Sequence, residues 1–250
     1  MGTPARSYAS FASSRARSNR LRRASRESSL HRALKERYAG DACAASPRSG
    51  RATEVTIDRF RIDVVREGEL IEIQTRSFSS IRRKLCALLD SHPVRLVYPI
   101  PCEKWVVHVE PNGNRIKRRK SPRRGSLIHL FDELVSFPQL MVHPNLSLEV
   151  LLTREEEIRC ADGRGSWRRK GCSIVDRRLI EVIAEVTFAQ PVDFLRLLPE
   201  GLPDPFSSRD LAMAMRQTVA FAGRVTYCLR EMQAIRLCGR RGRTYLYRRA

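Results

Sequence analysis

The chain has 250 residues, 42% of them hydrophobic, enough for one large domain or for a core of about 150 residues with a smaller module attached. Its 47 Lys+Arg against 27 Asp+Glu give a formal net charge of +20, which favours polyanionic partners, nucleic acid first. No run of 18 consecutive apolar residues occurs, so a membrane-spanning helix is excluded.

Arg outnumbers Lys 41 to 6, a bias that GC-rich coding can produce, so the placement of charge matters more than its total. Seven bases and no acid fall in residues 1–26, seven bases and no acid in residues 115–124, and ten bases against Asp210 and Glu231 in residues 206–250. The remainder is close to neutral. The seven cysteines are an odd number without a C-x-x-C pair, which fits reduced thiols in a cytoplasmic protein. The five histidines (31, 92, 108, 129 and 143) are scattered and read as packing or surface residues.

In chain order, residues 1–26 are Arg/Ser-rich and aperiodic and are expected to be a disordered basic arm; the composition also suits an organellar transit segment. Glu27 to Tyr38 predicts a helix with Leu30, Leu34, Tyr38 and Glu27 on one stripe. Residues 52–58 predict a leading strand. Phe60 to Thr75 alternates strictly on both sides of Glu67-Gly68, which predicts a two-residue hairpin. That register puts Asp63 opposite Glu72 with Cβ atoms about 4.5–5.5 Å apart, Gln74 on their face, and Phe60, Ile62, Val64, Ile71 and Ile73 on the core face. Opposed carboxylates repel, and a divalent cation offsets the repulsion: two acids with water and phosphate are a usual setting for Mg²⁺. The competing reading is a solvated polar face neutralised by Arg61.

Ser79 is then expected to cap a helix carrying Ile81, Leu85, Leu88 and Leu89, and residues 93–100 predict a buried strand. The order helix, three strands, helix, strand, with Ile62-Asp63 and Glu72-Ile73-Gln74 on the second and third strands, resembles the PD-(D/E)XK nuclease superfamily. The resemblance covers residues 27–100. It implies a restriction endonuclease-like αβββαβ core and metal-dependent phosphodiester hydrolysis, with Asp63 and Glu72 holding Mg²⁺ (or Mn²⁺) and Glu27 as a third acid. Gln74 stands where the motif has Lys; it can position water by hydrogen bonding but supplies no charge.

Beyond this core, residues 105–109 predict a strand, residues 115–124 a basic loop with Arg118, Arg119, Lys120, Arg123 and Arg124 as phosphate contacts, residues 127–135 a helix and residues 146–152 a strand. Glu155, Glu156 and Glu157 read as surface. Trp167-Arg-Arg-Lys170 sets an aromatic beside three bases, able to stack a base but expected to be half-buried. Helices are expected near 176–187 and 191–198, followed by a Pro-rich linker at 199–205. In residues 206–250, Ser207 and Asp210 form an approximate capping box, a second helix carries Val225, Cys228, Leu229 and Met232 on one face, and a basic hairpin turns at 239–242. This outline is that of a winged helix-turn-helix, with Arg224 and Arg230 on the second helix and Arg240, Arg241 and Arg243 on the wing as DNA contacts.

The expected architecture is therefore α/β: a basic arm (1–26), a nuclease-like domain (27–198), a linker (199–205) and a winged helix (206–250). The expected partner is DNA, with no membrane, and a homodimer is compatible with the sequence. The alternative is a catalytically inactive nuclease-fold regulator or adaptor that binds DNA through the winged helix.

Overall fold

At Glu67-Gly68 the chain reverses with both residues at positive φ, 54° and 83°, the backbone of a two-residue type I′ turn. The computed structural model describes residues 27–40, 51–111 and 113–250; the expected arm at 1–26 lies outside them, as does Cys43. The turn fixes β2 (Phe60–Arg66) against β3 (Glu69–Ile73) with Arg66 facing Glu69, Val65 facing Leu70 and Val64 facing Ile71, the register the alternation predicts. β1 (Arg51–Ile57) precedes β2 through a turn at Asp58 and Arg59, also at positive φ. Parallel pairing of β3 with β4 (Val94–Val109) requires a crossover, and α2 (Arg82–Leu88) supplies it. The predicted Ser79 cap is replaced by Ser77, which caps a single 3-10 turn before α2.

The strands predicted at 93–100 and 105–109 are one 16-residue strand, β4, in which a register shift between Pro101 and Glu103 absorbs Cys102 as a bulge does. Much of the predicted basic loop at 115–124 is β5 (Arg115–Lys120), antiparallel to the second half of β4. All six of its residues are exposed, so no apolar alternation marks it in the sequence; backbone pairing alone makes it a strand. β6 (Leu146–Cys160) lies parallel to β4, and β7 (Ser173–Phe188) antiparallel to β6. The helix expected at 176–187 is thus a strand, and its Ile180, Val182, Ile183, Val186 and Thr187 suit a pleated surface. The result is a mixed α/β fold on a seven-stranded sheet of order β1-β2-β3-β4-β6-β7, with β5 also on β4.

Both faces of the sheet are covered around β3 and the first halves of β4 and β6, while β5 stays open to solvent. On one, α1 (Ser29–Ala39) lays Leu30, Leu34 and Tyr38 on Val64, Ile71, Ile73, Val97 and Leu151, each aliphatic side chain contributing about 1.5–3 kcal/mol by burial. Ser28 caps the helix by accepting the His31 N–H at 3.3 Å, so Glu27 precedes the helix and is exposed instead of joining the buried stripe. On the other face pack α2, α3 (Leu130–Leu134), α4 (Ser208–Met215), α5 (Val219–Glu231) and the hairpin of β8 (Ile235–Arg241) and β9 (Thr244–Arg249). The segment expected as a helix at 191–198 is a 3-10 run, Pro191–Leu197.

The Ser207 capping box forms, with Asp210 N–H to Ser207 Oγ at 3.2 Å and Ser207 N–H to Asp210 Oδ2 at 2.8 Å. Val225, Cys228, Leu229 and Met232 are buried as their spacing predicts. Arg241 pairs with Thr244, so the last hairpin turns at Gly242-Arg243, later than expected. Leu88, Phe131, Phe194, Leu211, Val225 and Tyr247 belong to one hydrophobic cluster, so the core runs unbroken across the 199–205 segment. No helix among the described residues is long and apolar enough to cross a membrane.

The connection between β6 and β7 closes tightly. Gly165 N–H donates to the Gly171 carbonyl at 2.8 Å, and a Cβ on Gly165 would stand 1.8 Å from the Cys172 carbonyl oxygen. Because backbone and not a flexible side chain blocks the space, Gly165→Ala is expected to lower the melting temperature by about 3 °C or more. Scanning calorimetry checks this; an unchanged melting temperature would mean the loop relaxes freely.

Candidate active site

One residue past the Val64–Ile71 pair, β2 and β3 separate: β3 stays with β4, where Glu72 lies beside Leu96. The Asp63 carboxylate stands in for the missing ladder partner, its Oδ2 accepting the Ile73 N–H at 2.9 Å. Asp63 and Glu72 meet at this fork, but not as the simple facing pair the register alone predicts. The two helices that sandwich the sheet each supply a nitrogen partner: His31 Nε2 of α1 lies 3.1 Å from Asp63 Oδ1, and Lys84 Nζ of α2 is paired with Glu72. Lys84 also donates to the Arg61 carbonyl, and the Asp63 backbone N–H helps hold the Glu72 carboxylate.

These surroundings push the two acids apart. Glu72 is 4% exposed; burial, opposed by the Lys84 ammonium and reinforced by the Asp63 charge, raises its carboxyl to about 7. For Asp63, burial also works upward, but the His31 and Ile73 hydrogen bonds outweigh it and hold the group below the usual carboxylate range. One carboxylate firmly ionised beside one that titrates near neutrality is a pattern of sites that move protons or bind cations.

Beside the fork a chain of alternating charge runs from Glu27 through Lys35 and Glu54 to Arg61. Glu27 lies 3.5 Å from His31 Nε2, and Lys35 Nζ lies 2.7 Å from Glu27 and 2.6 Å from Glu54, which also pairs with Arg61. Burial works against the Lys35 charge, yet the two glutamates raise its pKa above the ordinary lysine value. Glu27 is thus the partner of Lys35 and does not join Asp63 and Glu72. Gln74 is also committed elsewhere: its Nε2 donates to the Ser77 carbonyl at 2.8 Å and to Ser80 Oγ at 2.6 Å.

Two carboxylates from adjacent strands form a hard, all-oxygen donor pair, which fits a Mg²⁺ that keeps most of its waters. Among the described residues no group of three or more His, Cys, Asp and Glu is arranged to hold a metal, so the fit rests on Asp63 and Glu72 alone. Sequence reasoning missed three residues of the site. Lys35 and His31 lie four apart on one side of α1 beside Glu27, a signal that was present; Lys84 follows from no pattern, because only the crossover carries α2 over the fork.

The predicted nucleic-acid contacts are spread over two surfaces. On β5, Arg118 and Lys120 flank the Trp105 ring at 4.7 and 5.2 Å from its centroid and pair with Glu156 and Glu103, while Arg119, and beyond the strand Arg123 and Arg124, are exposed. At the other end of the chain, Arg224 pairs with Asp132 at 2.8 Å, Arg230 pairs with Glu231 at 2.8 Å, Arg240 lies 4.4 Å from the Tyr245 ring centroid, and Arg241 and Arg243 are exposed.

The glutamates at 155–157 are not all surface residues. Strand alternation along β6 buries Glu155 and Glu157 at 2% and 3% exposure and leaves Glu156 half-buried. Burial raises Glu155 although Thr153 Oγ1 donates to it at 2.7 Å. In Glu157 burial is outweighed by Arg159 and Lys104, which lower it.

An uncharacterized protein of Treponema pallidum (strain Nichols) is 32% identical over 231 residues, spanning 90% of this chain and 86% of that protein. No solved structure matches the chain. The family model described as "Domain of unknown function (DUF8091)" matches residues 28–189, a span that takes in α1, the whole seven-stranded sheet and the Asp63–Glu72 fork, and the chain belongs to that family.

Proposed function

We propose that the chain is a DNA-associated, metal-dependent phosphodiesterase of the PD-(D/E)XK type, in which Asp63 and Glu72 are the metal-binding acids and Lys84 fills the role the motif position at Gln74 leaves open. The observation that carries this reading is the fork itself. Two acids of adjacent strands converge where the strands part, within the order α1-β1-β2-β3-α2-β4, and a lysine from the crossover helix reaches the second acid.

When bound, a divalent cation would neutralise charge on a phosphodiester. The chain's own groups do the rest. Asp63, kept ionised by His31, offers a fixed negative charge. Glu72 exchanges its proton near neutral pH, so cation binding and deprotonation are coupled there. Lys84 supplies the positive charge that Gln74 lacks, at the carboxylate that faces α2, where it can orient an attacking water or stabilise charge developing on phosphate. The β5 bases support backbone contacts to DNA, and α4, α5, β8 and β9 supply the helix, helix, hairpin outline of a winged helix with Arg224, Arg230, Arg240, Arg241 and Arg243 toward solvent.

A second reading, the inactive DNA-binding regulator, is favoured by one observation: both carboxylates already have protein partners, His31 at Asp63 and Lys84 at Glu72. Titration with Mn²⁺ followed by electron paramagnetic resonance separates the two. The phosphodiesterase reading expects one ion bound per chain, lost in Asp63→Asn and in Glu72→Gln; DNA binding with no Mn²⁺ bound supports the regulator.

Removing the β5 charges gives a further test. Replacing Arg115, Lys117 and Arg119 together by Ser is expected to weaken duplex binding and to reduce the slope of log K against log salt by up to about 3, near 0.9 for each phosphate no longer neutralised. Fluorescence anisotropy at several salt concentrations measures it, and an unchanged slope would remove β5 from the interface.

A further inference from the structure

The β6–β7 hairpin ends in residues 161–172, and at its tip Trp167 is 83% exposed, the most open of the large hydrophobic side chains described. Tryptophan is ordinarily among the more buried residues, and here the sequence favoured a half-buried ring. The exposure does not come from a slack loop. Arg164 N–H donates to Asp162 Oδ1 at 3.0 Å, Ser173 Oγ to Asp162 Oδ2 at 2.8 Å, Lys170 N–H to the Trp167 carbonyl at 2.9 Å and Cys172 N–H to the Arg169 carbonyl at 3.0 Å. Lys170 and Gly171 take left-handed φ, and Gly165 is packed too tightly for any side chain. The hydrogen bonds thus fix a shape that holds the indole out in solvent.

Its neighbours define what the ring suits. The Arg168 guanidinium lies 5.5 Å from the ring centroid, and Arg164, Arg169 and Lys170 complete a basic stretch whose one acid, Asp162, is held by Arg164 and Ser173. An open π surface among four cations complements a planar base attached to phosphate. In duplex DNA the base faces are occupied by stacking, so the complementary ligand is an unpaired base. The placement extends the basic surface: Arg115 pairs with Val109, Val109 with Cys160 and Cys160 with Ser173, so the loop stands at the same end of the sheet as the start of β5. That end lies roughly 40 Å along β4 from the fork, at about 3.3 Å per residue.

We propose that the Trp167 loop is a second nucleic-acid site that stacks an unpaired base of a strand whose phosphates run over β5. The inference rests on the reading of the chain as nucleic-acid-binding and adds a preference for single-stranded or locally opened substrate at a point remote from Asp63 and Glu72.

The test uses the full chain and four probes: a single-stranded oligonucleotide, its duplex, an abasic oligomer of the same length, and anionic phospholipid vesicles. The single strand is expected to quench indole emission in the wild type and in Trp105→Phe but not in Trp167→Phe, and the abasic oligomer to bind without quenching. Trp167→Ala is expected to weaken single-strand binding roughly 5- to 150-fold and duplex binding little, with Trp167→Phe restoring most of the loss. If duplex binds the wild type while single-strand affinity is the same in Trp167→Ala, this proposal falls and the nucleic-acid reading stands. If no nucleic acid binds at all, both fall. A Trp167 emission change with vesicles and none with oligonucleotide would assign the loop to a membrane surface and overturn the proposal.

Discussion

Lys84→Ala is expected to lower Mg²⁺-dependent cleavage of duplex DNA about 10²–10⁴-fold, whereas Gln74→Ala is expected to lower it less than about tenfold. The contrast follows from where the two side chains go. Gln74 donates to Ser77 and Ser80 and serves the turn after β3, so its loss is felt as a small local loosening. Lys84 is the cation at Glu72 and ties α2 to the Arg61 carbonyl, so its loss removes positive charge at the fork. Single-turnover rates for both variants, at saturating protein and fixed pH, distinguish the two roles. The reverse ranking would return the water-positioning role to Gln74 and leave Lys84 a purely structural partner. Circular dichroism on Lys84→Ala guards against misfolding, and Lys84→Arg, which keeps the charge with altered geometry, should recover part of the activity.

The second large effect is on stability. In metal-free buffer the protein is expected to lose stability as pH rises from about 4.5 to about 7. The sign follows from linkage. Burial raises Glu72 from 4.5 to about 7, so between those values the folded state binds more protons than the unfolded state, and unfolding free energy falls with increasing pH. Above about 7 the penalty is complete and the curve flattens, the total being about 3 kcal/mol at 1.36 kcal/mol per pH unit. Asp63, held below its ordinary value, acts in the opposite sense but on the acid side: its contribution is present above about pH 4 and is lost as pH falls further, so the two windows scarcely overlap. Denaturant melts at pH 5, 6, 7 and 8 read the slope, and Glu72→Gln should reduce it, leaving the part due to Glu155, which burial also raises. Saturating Mg²⁺ competes with the proton and should raise stability more at pH 8 than at pH 5.5, because only the ionised carboxylate is a ligand. A flat profile in the wild type would mean that Glu72 is better solvated or paired than its burial indicates.

The hairpin that leads into the fork was legible in the sequence because a two-residue turn with strict alternation on both sides admits one register, and that register is observed from Arg66–Glu69 to Val64–Ile71; the parting of the strands before Asp63 and Glu72 was not. Helix caps at Ser28, Ser207 and Thr218 act through local hydrogen bonds, and the Ser207–Asp210 pair was readable for the same reason. Long strands were harder. β5 consists of exposed bases and one Ile, and β7 carries Arg177, Arg178, Glu181 and Glu185 among its aliphatic residues with an edge facing solvent, so neither shows the period that buried strands show. Helical spacing in 176–187 was outweighed by antiparallel pairing with β6 at ten of its residues, which no local propensity reports. The nitrogen partners of the two acids were out of reach for a different reason: His31 and Lys84 come from helices on opposite faces of the sheet, and only the packed fold determines that both reach the fork.

The measurement that bears most directly on the proposed activity is cleavage of supercoiled plasmid and of linear duplex DNA by the full chain with Mg²⁺ or Mn²⁺, beside reactions with EDTA and with the Asp63→Ala and Glu72→Ala proteins. Cleavage by the wild type that disappears in all three controls is the predicted result, and it would identify the activity and its two acids together. Wild-type protein that binds and shifts the DNA without cutting it, under either metal, would contradict the account and leave the fork as the remnant of a catalytic site in a DNA-binding regulator.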